Sequence, residues 1–501
     1  MVKGKLVTMA ICAALCASAG IPVSAAEQTE YAGITATATD SAMQEDTASV
    51  DAVKEASESD FEWDGTKIKK YIGKGGTVVI PGKCTEIAHN AFQNNNALTA
   101  VVIPSGVKAI RSYAFSGCEN LKTVDLPAGL ADLGYGVFYR CTSLKSIEIP
   151  ATLTEIPDDT FAYCTVLADV NIPDTIGSIG VNAFWKCTAL TDIYIPAGVT
   201  DISTGAFGGN QVQKITVDAK NTEYTDGGTN AIIEKSTGTL ITGCKNTKIP
   251  SNVKKIAKFA FVEYENLEIE IPRSVAAIEN YAFDGCENLV LQVYKNSWTH
   301  KQAIENKWTY KLVPPASVTD LKACTAGINK VQVTWTKAEE AEGYLIYGIN
   351  ADGKYHYIGM TSKTSYVDTK AMDNAYNFYF VYSYVKDVDD TLAVGKAPKY
   401  VYAKGTCLAV TNLKASSLKG GVKLTWTKSA GADGYLVYGK RSKDGTYGYI
   451  GVKTSNSATT YMDTQAPKNL YSFYWVFPYH YDKNGNRVVG PICGYVYGKA
   501  K

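Results

Sequence analysis

Apolar residues recur along the first part of this chain at a constant step of 23 positions. Prolines fall at Pro81, Pro104, Pro127, Pro150, Pro173 and Pro196. Phe92, Phe115, Phe138, Phe161, Phe184 and Phe207 keep the same step, as do Ile87, Ile110, Leu133, Ile156, Ile179 and Ile202. Three registers held over six copies imply a stacked solenoid, because one unit of this size cannot cover its own hydrophobic face. Each copy reads Leu-x-x-(Ile/Val)-x-(Ile/Leu)-Pro, as in Leu121-Lys122-Thr123-Val124-Asp125-Leu126-Pro127. The alternation predicts a short strand, and proline, with no amide to donate, ends it. The Ala114-Phe115 pair and its counterparts then fill the interior. From Gly208 to Lys248 the pattern lapses, and Ala231 to Thr242 predicts a hairpin turning near Gly238. Regular copies resume around Pro250 and Pro272. Leu291 to Val313 has a helical middle and no Ala-Phe pair, which suits a cap on an open core end.

These residues resemble the BspA-type leucine-rich repeat family of bacterial surface proteins, over residues 61–313. The resemblance implies an exported, non-catalytic binding protein. Five cysteines share the register: Cys118, Cys141, Cys164 and Cys187 follow the same step, and Cys286 holds the matching place in its copy. No Cys-x2-Cys pair exists and the four histidines are scattered, so the spacing does not suit a metal site. Stacked copies bring these thiols within disulfide range, but their Cβ vectors run parallel, which favours a buried ladder of free thiols over a disulfide framework.

Beyond Pro314-Pro315 the pattern changes. Residues 316–501 hold 22 of the 34 tyrosines and duplicate internally. Val331-Gln332-Val333-Thr334-Trp335 returns as Val422-Lys423-Leu424-Thr425-Trp426, and Gly343-Tyr344-Leu345-Ile346-Tyr347 as Gly434-Tyr435-Leu436-Val437-Tyr438. Tyr366-Val367-Asp368 pairs with Tyr461-Met462-Asp463, and Tyr376 with Tyr471. Strands separated by turns every ten or so residues predict antiparallel sandwiches. With Trp335 and Trp426 on second strands, and Tyr376 and Tyr471 as candidate corner tyrosines, both copies resemble the fibronectin type III family, over residues 316–404 and 407–501. Asp482-Lys483-Asn484-Gly485-Asn486 starts like a calcium loop, but Cys493 stands where its last ligand belongs, so a hairpin turn is the better reading.

The expected fold is therefore mainly β, a leucine-rich-repeat solenoid followed by two fibronectin-type sandwiches. Residues 1–26 read as a signal peptide: Lys3 and Lys5, an apolar run from Leu6 to Leu15, and Ser24-Ala25-Ala26 for cleavage. Residues 27–60 carry nine carboxylates against Lys54 alone and read as a disordered acidic spacer. The 50 basic and 49 acidic residues of the whole chain nearly cancel, which removes the argument for nucleic acid. By segment the balance is uneven, and residues 316–501 hold 23 basic against 14 acidic residues. That asymmetry suggests adhesion of the sandwiches to an anionic envelope polymer.

Catalytic signatures are wanting. Ser-x-x-Lys occurs at Ser105/Lys108, Ser251/Lys254 and Ser416/Lys419 without the companion motifs of a serine acyl enzyme. The expectation is no enzyme, no cofactor and no metal. Binding is read instead from the polar strand positions, which point outward together: Thr123, Asp125, Ser146, Glu148, Asp169, Asn171, Asp192 and Tyr194 form one expected sheet face. Tyr355, Tyr357, Tyr447 and Tyr449 flank sandwich turns, either to stack on a ligand or to pack across strands. The expected role is adhesion of a monomer, secreted or held non-covalently at a cell surface, to an extracellular protein or glycan. The partner would sit on a host, another cell or an envelope polymer, with no membrane span in the mature chain. A carbohydrate-targeting accessory of a partner enzyme is the alternative, and a mere spacer the third.

Overall fold

The computed structural model describes residues 55–349, 353–442 and 444–501. The expected signal peptide lies outside them, as does most of the expected spacer. The spacer's last residues are not free: the Ala56 amide donates to the Val79 carbonyl, and Lys83 meets Glu58 at 2.6 Å. A short 3-10 turn, Glu58–Asp60, leads into strand Phe61–Asp64.

Residues up to Leu312 form the solenoid. One side of each copy is the short strand read from the sequence, for instance Thr123–Asp125, Ser146–Glu148, Asp169–Asn171 and Asp192–Ile195. Each proline then opens a turn. The carbonyls of Pro104, Pro127 and Pro150 accept from the amides of Val107, Leu130 and Leu153, at 3.0 to 3.1 Å. The chain next enters a second ladder, of two-residue strands, that the sequence did not suggest: Glu86–Ile87, Ala109–Ile110 and Asp132–Leu133 pair in parallel, as do Glu155–Ile156, Ser178–Ile179 and Asp201–Ile202. The recurrent Ile and Leu positions are the inward residues of this ladder.

Phenylalanine rings occupy the middle. Phe92, Phe115, Phe138, Phe161, Phe184 and Phe207 stack face over face, with centroids 4.8 to 5.7 Å apart and planes within 22°. Tyr71 continues the column at one end, 5.0 Å from Phe92. Beside it runs the thiol ladder. Cys118, Cys141, Cys164 and Cys187 are buried and free, and each Sγ donates to a phenylalanine carbonyl of the preceding copy, Phe92, Phe115, Phe138 and Phe161, at 3.1 to 3.2 Å. Cys286 does the same toward Phe261. Burial pushes the thiols of Cys84 and Cys118 up to about 11 and that of Cys164 to about 12. Thiols held neutral in this way are poor nucleophiles.

Where the period lapses, Ala231–Glu234 and Thr239–Gly243 form the expected hairpin, with Gly238 at φ +69°. It is not an excursion, because Thr239–Gly243 pairs in parallel with Lys255–Ile256 and so extends the second ladder. The closing segment holds helix Trp298–Glu305, N-capped by Ser297, and strand Tyr310–Leu312, which pairs with Val290–Val293.

Residues from Thr319 onward form two antiparallel sandwiches. In the first, Thr319–Gly327, Lys330–Thr336 and Ser365–Asp368 face Tyr355–Thr361, Gly343–Ile349, Tyr376–Lys386 and the paired strands Leu392–Val394 and Val401–Lys404. The second repeats this with Thr411–Leu418, Gly421–Thr427 and Thr460–Asp463 against Tyr447–Lys453, Gly434–Arg441, Tyr471–Tyr481, Arg487–Val489 and Val496–Lys499. Trp335 and Trp426 sit in the two cores, edge-on to Tyr344 and Tyr435. The expected corner tyrosines are wrong by half a pleat. Tyr376 and Tyr471 lie outside, while buried Tyr379 and Tyr474 donate to Asp368 and Asp463, both at 2.9 Å. Asn484 and Gly485 turn the hairpin as read, the Gly485 amide donating to the Asp482 carbonyl at 2.9 Å.

The thiol ladder has a direct check. Among the thiols of the described residues in the native protein, Ellman's reagent reacts quickly only with exposed Cys324 and Cys493, and unfolding in guanidinium releases all ten. Fewer thiols after unfolding would mean that the ladder is disulfide-bonded.

Candidate functional site

All eight residues expected on the strand face are exposed on it, and Val124, Ile147 and Ile193 between them are buried. Parallel in-register pairing makes two columns. Asp169 lies beside Ser146 and Asn171 beside Glu148, while Asp192 and Tyr194 lie beside Lys214 and Thr216. Tyr194 is 49% exposed and its hydroxyl donates to Asp218 Oδ2 at 2.6 Å, so the ring is tethered rather than loose. That bond holds the Asp218 carboxyl below its usual range and raises the Tyr194 phenol.

The expected single ribbon is instead three ladders. Thr123–Asp125 ends one that begins at Gly76–Val79; Ser146–Glu148 pairs with Asp169–Asn171; Asp192–Ile195 pairs with Lys214–Val217. Strands of three residues share few ladder bonds per step, so sheet twist readily opens the ladder between copies. The columns carry acid on most copies, Asp125, Glu148, Asp169 and Asp192, with no base at the same strand positions until Lys214.

Two further surfaces escaped the sequence reading. On the second ladder, Glu86 accepts from Arg111 through both carboxylate oxygens, at 3.1 and 3.2 Å, and from Lys67 at 2.7 Å. Arg111 also reaches Asp132. On the turn side, two residues per copy adopt left-handed backbone. Half are Asn or Gly, but Tyr113 (φ 60°), Arg140 (φ 59°) and Tyr163 (φ 64°) are among the larger residues at the same offsets. Bulky residues are uncommon there. Tyr113 meets Tyr135 and Tyr139 meets Tyr163, both at 5.5 Å, and the Arg140 guanidinium lies over the latter pair. Asn90, Gly136 and Asn182 at equivalent positions are the signal that would have drawn attention to Tyr113.

Residues 78–225 and 229–322 match the family described as BspA type leucine rich repeat region, in six copies. Over these residues the solenoid is similar to that repeat family. Among solved structures, a leucine rich cell surface protein of Faecalibacterium prausnitzii is 32% identical, with 46% of this chain and 64% of that one covered and a TM-score of 0.41. The chain thus spans less than two thirds of that relative. The leucine-rich repeat protein of T. pallidum is 28% identical over 34% of this chain and 90% of that one, with a TM-score of 0.28. The FN1-FN3 domains of chicken CNTN1 are 12% identical over 38% and 70% of the two chains, with a TM-score of 0.19. No curated protein matches the chain.

At the far end of the solenoid, a cleft of about 860 Å³ is lined by Tyr281, Phe283, Cys286, Leu289, Asn306 and Trp308. Phe283 and Leu289 are half-buried there, whereas Phe115 and Leu121 of an inner copy are wholly buried. The cap therefore leaves the end of the core partly open. Among the described residues no group of three His, Cys, Asp or Glu side chains could hold a metal ion. None of their helices is long and apolar enough to cross a membrane.

The ion-paired ladder makes a prediction. Bonds from Arg111 first, then Lys67, lower the Glu86 carboxyl from 4.5 to about 2. A lowered carboxyl contributes stability that is full above pH 4.5 and is lost as pH falls toward 2. Glu86→Gln should therefore raise deuterium uptake by peptides spanning residues 84–90 at pH 6, with the difference from wild type narrowing steadily as pH falls from 4.5 toward 2. A gap independent of pH would show that the ion pairs contribute nothing there.

Proposed function

We propose that this chain is a non-catalytic adhesion protein, acting in secreted form or at a cell surface, and that the strand face of its repeats recognises a protein or glycan. One observation carries the reading: Asp125, Glu148, Asp169, Asn171, Asp192 and Tyr194 stand exposed at repeated positions on copies whose own core residues, such as Phe138 and Phe161, are fully buried. A solenoid displays such positions at a near-constant rise, so many weak polar contacts add along an extended partner. The acid of the columns favours a basic partner surface, with the tethered Tyr194 as the aromatic anchor. Burial of Cys118, Cys141, Cys164 and Cys187 and the scattered histidines support a scaffold without chemistry of its own. The frame functions as a monomer, and needs no cofactor, because each copy is completed by its neighbours.

The test uses mature full-length protein on an array of extracellular matrix proteins and glycans. A combined Asp125→Lys, Asp169→Lys and Tyr194→Ala variant should lose binding to the best partner by at least about tenfold, the effect of 1.4 kcal/mol. Its melting temperature should hold, since all three side chains are exposed. Unchanged binding by the variant would remove the strand face from the recognition surface.

A further inference from the structure

The duplicated sandwiches preserve something that folding does not require. Tyr347, Tyr357, Tyr376 and Phe378 of the first copy return as Tyr438, Tyr449, Tyr471 and Phe473, and Tyr400, Tyr402 and Lys404 as Tyr495, Tyr497 and Lys499. These residues lie on the outward face of the larger sheet. Along Tyr471–Tyr481 the pleat puts Tyr474 and Val476 in the core and turns Tyr471, Phe473, Trp475 and Phe477 away from it.

In the second sandwich the rings form one connected pavement. Tyr447 meets Trp475 edge-on at 4.8 Å, Trp475 meets Tyr495 at 5.7 Å, and Tyr495 meets Phe473 at 5.9 Å. Tyr497 continues from Phe473 at 6.0 Å and reaches Tyr471 at 5.5 Å. On the other side Tyr438 stacks on Tyr447 at 5.3 Å and touches Tyr449 and Phe477. Tyr449, Tyr471, Tyr495 and Tyr497 are each more than half exposed, at 53 to 59%. Contiguous exposed apolar surface of this kind marks an interaction site.

The two copies differ in the middle of this face. In the first, Tyr347, Phe380 and Tyr382 are each no more than 6% exposed, packed with Leu392, Val394 and Ala397. In the second copy Arg487 replaces Leu392 and its guanidinium lies over Tyr479 at 4.9 Å, leaving Trp475 and Phe477 half-buried only. Cations edge the pavement. Lys499 stands 5.6 Å from the Tyr471 ring, and Lys440 occupies the outward position opposite Phe473 and Tyr447. The five strands of this sheet carry no carboxylate.

We infer that the outward aromatic face of the second sandwich binds an acidic polysaccharide. A pyranose ring is apolar on its C–H face and polar at its rim, which matches a bed of tyrosine rings with hydroxyls at their tips. Lys440, Arg487 and Lys499 supply the counter-charge for carboxylate or sulfate groups along the polymer, and the flat sheet accepts an extended chain rather than a terminal sugar. This site is independent of the strand face of the solenoid.

Affinity electrophoresis of the mature full-length chain tests it, with gels containing polygalacturonate, alginate or hyaluronan, and with hydroxyethyl cellulose and polyglutamate as neutral-glycan and anionic non-sugar controls. The expected result is retardation by at least one acidic glycan and by neither control. The Tyr447→Ala/Trp475→Ala double variant should bind at least about tenfold more weakly, Trp475→Phe should bind nearly as wild type, and Asp125→Lys/Asp169→Lys should bind unchanged. Circular dichroism melting of each variant separates lost binding from lost fold. The proposal is overturned by no retardation in any acidic glycan, by equal retardation in polyglutamate, or by ring variants that bind as wild type. It is also overturned if the wild type is a dimer that the ring variants dissolve, since the face would then serve a second copy.

Discussion

Everything in the solenoid depends on the register of one column of phenylalanine rings. Each inner ring, from Phe115 to Phe184, is flanked by the ring one copy before and one copy after, at 4.8 to 5.7 Å. Such pairs contribute about 0.5–1.5 kcal/mol beyond the burial of their area. A ring can meet both neighbours only if every copy returns to the same point after the same number of residues. The thiol donating to the preceding phenylalanine carbonyl, the proline turn and the inward Ile all inherit their place from that return. The outward columns inherit it too. Asp169 stands beside Ser146 because Phe161 stands beside Phe138.

That dependence explains what could be read in advance. Buried positions in a solenoid repeat with the copy, so Phe115, Pro127 and Cys141 announced the period, and exposed Asp125 and Glu148 followed by alternation. The second ladder was invisible because two-residue strands such as Ala109–Ile110 have no alternation to display. The break of the strand face into three ladders was invisible as well, since it depends on hydrogen-bond geometry between copies rather than on residue type.

In the sandwiches the fold was legible and only the corner tyrosines were misplaced. Alternation assigns a face when one side is polar, but Tyr376–Lys386 carries large apolar residues on both. Alternation therefore does not say which tyrosine of that strand turns inward, and the buried bond from Tyr379 to Asp368 marks Tyr379 as the inward one. The same double-sided pattern hid the aromatic pavement of the second copy. In the first copy the middle of that second face is packed by Leu392, Val394 and Ala397, and in the second copy it stays partly exposed. The molecule thus combines two kinds of surface: polar columns repeated by the solenoid and a ring bed repeated by duplication.

The register claim is tested most directly by two deletions in the mature chain. Removing residues 139–161 takes out one whole copy and rejoins Phe138 to Ala162 in phase. Removing Lys145 alone shifts one strand against its neighbours. If register governs the fold, the 23-residue deletion unfolds in urea with a sharp transition close to wild type, while the single deletion broadens it or lowers its midpoint markedly. A single deletion that unfolds like wild type, or a whole-copy deletion that destabilises more than it, would contradict the account.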